Sequence, residues 1–156
     1  MSGREIKFRF YSNIEKKMYE NMGLIGLNTT YDKNPCIYSA DKVVKEDGAT
    51  RCQYLKDGHL MQFTGLHDNK RTEEYPGGQE IFEGDVFPNH FNSKILGVVR
   101  FGEYANMGDD NHGGHVGFFI EWGNDDMLRK DLAYWAKVSS VIGNIYENHE
   151  LMGSKV

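Results

Sequence analysis

Apolar and polar residues alternate along most of this chain, in short runs broken by glycines and polar clusters. Residues 6–10 read Ile-Lys-Phe-Arg-Phe, so Ile6, Phe8 and Phe10 face one way and Lys7 and Arg9 the other. That period of two predicts a half-buried strand. A polar break at 12–17 leads to a short second strand at Met18-Tyr19. Between 20 and 58 the pattern is irregular, with Gly23, Gly26, Pro35 and Gly48 as punctuation and a helical turn expected at 40–46. Regularity returns at 60–64, a strand expected to stop at Gly65 with His59 and His67 on the turns that flank it, followed by a polar loop over 66–78. Ile81-Phe82 and Val86-Phe87 are short strands around a Glu83-Gly84-Asp85 turn, the second ended by Pro88.

The two strongest strands are 95–101 and 116–122, rich in β-branched and aromatic residues. The fourteen residues 102–115 between them form a polar, Gly-rich loop, too long for a tight hairpin. Asn124-Asp125-Asp126 reads as a helix cap with an acidic first turn. Leu128, Leu132 and Trp135 follow at helical spacing, predicting a helix of about three turns. Strand character resumes over 138–146, and a last helical turn is expected at 148–152. The sum is a mainly β chain with one or two short helices.

Composition narrows the class. The 156 residues suit one domain or a domain with an appendage, and they can bury a core without staples. Hydrophobic residues are 39 % and charged ones 26 %, which argues against wholesale disorder. Eighteen basic against twenty-three acidic side chains give a net charge of -5, the wrong sign for a polyanion-coating protein. The charge is uneven: residues 1–58 hold ten basic and eight acidic groups (+2), residues 59–156 eight and fifteen (-7). No apolar run approaches a membrane span or a signal peptide, so a cytoplasmic protein is expected. Cys36 and Cys52, sixteen residues apart, match neither a redox pair nor a zinc knuckle, so free thiols are expected.

Three segments in order carry a resemblance. They are Arg4-Glu5-Ile6-Lys7-Phe8-Arg9, then Leu60-Met61-Gln62-Phe63-Thr64-Gly65-Leu66-His67-Asp68 with Glu80-Ile81-Phe82-Glu83-Gly84-Asp85-Val86, then Val141-Ile142-Gly143-Asn144-Ile145-Tyr146-Glu147-Asn148. In this spacing the chain resembles the YopX family of bacteriophage and prophage proteins. The resemblance implies an irregular β-rich N-terminal part, 1–58, and a small SH3-like barrel over 59–156. It also implies a phage or prophage origin, hence a bacterial host cytoplasm, and brings no activity with it. The chain departs from the family in Ser2-Gly3 ahead of Arg4, in the expanded 102–115 loop and in Pro76-Gly77-Gly78.

Candidate chemistry is sparse. Asp109, Asp110, His112 and His115 put two carboxylates and two imidazoles into seven residues, a set that could ligate a divalent metal. The spacing matches neither an EF-hand nor a zinc motif, so a solvated hairpin tip is the expected reading and no cofactor is expected. Lys7, Arg9 and Tyr11 share a strand face, and with Arg4 they offer a basic patch for nucleic acid. The overall acidity disfavours that use. Nucleophile elbow, phosphate loop, dinucleotide fingerprint and zincin motif are missing, so no enzyme is expected. Gly65, Gly84, Asp85 and Gly143 are explained as turn and bend residues. The expected function is a non-catalytic module that binds a protein partner or its own copies, with a nucleic-acid accessory role through the first strand as the alternative.

Overall fold

A computed structural model describes residues 3, 5–20, 22–25, 36–46, 49–55, 57–110, 114–123 and 128–153, with the backbone path alone for 23–25, 36–46 and 49–55. The fold is mainly β, with two four-stranded antiparallel sheets, one of them curled into a half-barrel, and one short helix. The chain divides into two compact units, Met1–Gln62 and Phe63–Val156.

In the first unit, β1 (Phe8–Ser12) lies between β2 (Lys17–Tyr19) and β6 (Gly58–His67). Phe10 faces Tyr19 on one side and Leu60 on the other, and these rings and Met22 form a small apolar cluster. Gly58 is required at the start of β6, because a Cβ there would meet the Phe10 ring and the Tyr11 carbonyl. The expected alternation holds only for Phe10. Ile6 lies outside the strand and is exposed, while Arg9 is buried like its neighbour Phe10, and as adjacent strand residues point to opposite faces, both faces of the strand are covered there; Ser12 is buried as well. A separate three-stranded sheet joins β3 (Met22–Ile25), β4 (Cys36–Glu46) and β5 (Ala49–Leu55). The helical turn expected at 40–46 is therefore strand. Its Val43-Val44 pair suits β structure, and β5 supplies the partner that local propensity cannot anticipate. Cys36 pairs with Ile25 and Cys52 with Val43, so the two cysteines do not face each other in register.

The second unit is built around β7 (Glu80–Phe82), β8 (Asp85–Pro88), β9 (Leu96–Tyr104), β10 (His115–Trp122) and β11 (Gly143–Asn144). One sheet has the order β10-β9-β8-β11. Helix α1 (Leu132–Val138) sends Leu132, Trp135 and Ala136 into a core with Ile81, Phe87, Val99, Ile120, Trp122 and Val141. Each large member contributes about 1.5–3 kcal/mol by leaving water.

Four expectations are corrected here. Strand β6 continues through Gly65, which takes φ +86° and bulges the strand: Phe63 pairs with Phe82 and His67 with Glu80, four residues against two. His59 and His67 accordingly sit inside the strand, not on flanking turns. The helix has seven residues and begins after Asp131, and Asn124, Asp125 and Asp126 lie outside the described residues. The strand expected over 138–146 shrinks to Gly143–Asn144, because the segment is held by side-chain hydrogen bonds as much as by a ladder. A single 3-10 turn follows at His149–Leu151.

Candidate functional site

Four polar residues of the second and third resemblance segments, Thr64, Asp68, Asp85 and Asn144, bond the backbone. Asp68 is 4 % exposed, and its carboxylate accepts N–H groups from Lys70 (3.1 Å), Gln79 (2.9 Å) and Val141 (2.9 Å). It thereby ties the end of β6 to its loop and to a segment 73 residues away. Asp85, 1 % exposed, accepts the Phe82 N–H at 2.8 Å and closes the turn in which Gly84 takes φ +86°. Thr64 donates to the Ile81 carbonyl at 2.8 Å and accepts the Leu66 N–H at 3.2 Å across the bulge. Asn144 accepts the N–H groups of Tyr146 and Glu147, and a Cβ on Gly143 would meet the Asn148 amide oxygen at 2.5 Å. These groups are committed to holding loops in place.

The β9–β10 hairpin is different. Val99 and Ile120 face each other in the core, and the next residues outward on the same face are the paired Phe101 and Phe118, then Glu103 and Val116. Phe101 and Phe118 meet edge-on at 5.0 Å, yet Phe101 is 56 % and Val116 75 % exposed. The apolar stripe thus runs beyond the core into solvent. Strand β10 is the outer strand of its sheet. Among the described residues its C-terminal half has a neighbour in 130–131, through the Ile120 N–H to the Lys130 carbonyl (2.9 Å) and the Phe119–Asp131 bridge.

The opposite hairpin face carries a polar network. Gly102 and Gly117 are opposite each other, which leaves room for Tyr104 to stack on Phe119 (5.1 Å) and on His115 (5.2 Å). The Tyr104 hydroxyl donates to Asp131 at 3.4 Å, and Asp131 also accepts from Arg129 at 2.6 Å and Asn106 at 3.2 Å. The Asn106 side chain in turn accepts the Lys130 N–H at 2.8 Å. Burial pushes the Asp131 pKa up, but the hydrogen bonds from Arg129 and Asn106, the Arg129 charge and the Tyr104 hydroxyl outweigh it, and the net shift is downward. Tyr104 moves upward, first through burial and then through the Asp131 and Asp109 carboxylates.

The residues singled out from the sequence are dispersed. Asp109 meets His115 at 3.1 Å and accepts the Asn106 N–H at 2.7 Å, so it closes its own loop. Asp110 is exposed, His112 lies outside the described residues, and no group of three metal-ligating side chains forms among the described residues. On the first strand Lys7 pairs with Glu5 at 3.3 Å and Tyr11 is half-buried, while Arg4 lies outside the described residues. Arg9, at 8 % exposure, is inside rather than on an open basic face, because both faces of β1 are covered at Arg9-Phe10. The sequence reading missed Asp131, Asn106 and Tyr104 as a unit. Their contacts are set by tertiary pairing of 106 with 130, and nothing in the local pattern signals it.

A family model described as YopX protein matches residues 7–153. The chain belongs to the YopX family. A crystal structure of protein EF1440 from Enterococcus faecalis is similar, with TM-score 0.53 and 24 % identity over 96 % of this chain and 99 % of that one. That likeness concerns the fold. No curated protein matches the chain. No helix among the described residues is long and apolar enough to cross a membrane. Within this YopX chain, the second and third segments that carry the family resemblance contain the backbone-holding Asp68, Asp85 and Asn144, and the exposed hairpin falls between them.

Proposed function

We propose that this YopX chain is a non-catalytic binding module whose C-terminal half is an SH3-like barrel, and that it docks a second copy of itself on the β9–β10 hairpin. The observation that carries this reading is the stripe of Phe101, Phe118 and Val116, continuous with the core and ending in a residue 75 % exposed. An outer strand with an apolar face favours antiparallel pairing, and two identical edges pair about a two-fold axis. The non-catalytic character is supported by Asp68 and Asp85, whose lone pairs are taken by backbone N–H groups rather than offered to a substrate. The N-terminal strand β1 is a poor route, since β2 and β6 flank it. Sedimentation velocity over a concentration series tests the proposal. A mass above 17.9 kDa that reverts to the monomer value in Val116→Glu is expected. A monomer at every concentration would contradict it.

A further inference from the structure

A second surface of the Phe63–Val156 unit has a different chemistry. The loop between β8 and β9 is tightly ordered: buried Asn89 accepts the N–H groups of Phe91 (2.8 Å) and Asn92 (3.3 Å), and its own N–H donates to the Ile95 carbonyl at 2.9 Å. Asn92 accepts the Lys94 N–H at 3.1 Å and, through its carbonyl, the Ile95 N–H at 2.9 Å. These five bonds fix a loop whose tip is Phe91, 80 % exposed. A ring this exposed on a disciplined loop is not a by-product of core packing.

Phe91 begins a continuous band. Its ring lies 3.7 Å from that of His90, which approaches Trp135 at 5.5 Å and Tyr134 at 6.4 Å. The Arg129 guanidinium covers the Tyr134 ring at 4.6 Å. Cations border the band: Lys94 is in the Phe91 loop, Arg129 caps Tyr134, and exposed Lys137 is one helical turn beyond Tyr134. The Asp131 carboxylate next to Arg129 is held by Arg129, Asn106 and Tyr104.

We propose that this band binds single-stranded nucleic acid, with unpaired bases stacking on Phe91 and His90 and phosphates meeting Lys94 and Lys137. Flat rings at intervals suit bases that are already unstacked, and the interspersed cations match a phosphate backbone. A duplex hides the base faces, and the seven-residue helix α1 offers no groove-filling element. The net charge of -5 makes binding modest, and two phosphate contacts set a salt slope of about -1.4.

The test is fluorescence anisotropy of a labelled oligothymidylate with the full chain, titrated at low and moderate salt. Binding is expected, with affinity falling about fivefold or more in Phe91→Ala and in the Lys94→Glu/Lys137→Glu pair, at unchanged melting temperature. Lys7→Glu on the first strand and Val116→Glu on the hairpin are expected to bind like the parent, which separates this surface from the docking hairpin. Absence of binding at low salt, equal affinity for a duplex of the same length, or parental affinity in Phe91→Ala would each overturn the proposal.

Discussion

Asp68 and Asp109 are loop aspartates of the same unit with opposite employment. Asp68 is buried and gathers N–H groups from Lys70, Gln79 and Val141, so three separate stretches of backbone depend on one carboxylate. Asp109 is half-exposed and bonds Asn106 and His115, both within its own hairpin. The same contrast runs through the surrounding regions. Around Asp68, Asp85 and Asn144, polar groups close turns and apolar groups fill the core. Around the β9–β10 tip and the Phe91 loop, polar groups order the backbone while Phe101, Val116 and Phe91 stay in water. The first region makes the fold, and the second presents surfaces.

Substitutions can break this contrast. Among the glycines the largest effect is expected at Gly78→Ala, where φ is +97° and a Cβ would strike the Asp68 carbonyl. A loss of more than about 2 kcal/mol in urea unfolding is expected, combining backbone strain with a displaced Asp68. Gly84→Ala, at φ +86°, should cost about 1 kcal/mol, read as a lower melting temperature.

On the hairpin side, Asp131→Asn removes a charge next to Tyr104. The Tyr104 pKa, followed by ultraviolet titration, should move down toward its ordinary value without reaching it, since burial persists. Asp131 itself is shifted down, so its contribution to stability is present above the unfolded carboxylate pKa and is lost as pH falls through the folded value. The parent should therefore lose more stability than Asp131→Asn on acidification through that window. The smallest effect is expected for His112→Ala/His115→Ala. If the loop is only a polar tip, stability changes by no more than about 0.5 kcal/mol. A melting temperature raised by zinc in the parent and not in the double variant would contradict it.

Strand periodicity made most of the second unit legible, because β7 to β10 alternate or are apolar throughout and are bounded by Gly, Pro and polar turns. What escaped was set by distant partners. Residues 40–46 are strand because β5 pairs with them, β6 continues past Gly65 because a bulge absorbs two residues, and Arg9 is buried because both faces of β1 are covered there. The exposed ring at Phe91 was visible as a lone aromatic in the polar run 88–94, but only the Asn89 hydrogen bonds distinguish a presented ring from an idle one.

The division between fold-holding and surface-presenting residues is tested most directly by urea unfolding of Asp68→Ala beside the double variant Phe101→Ser/Val116→Ser. Asp68→Ala strands three backbone donors and should lose at least about 3 kcal/mol. The hairpin variant should stay within about 0.5 kcal/mol of the parent, measured at a concentration where both are monomeric. Comparable losses in the two, or the larger loss in the hairpin variant, would contradict it.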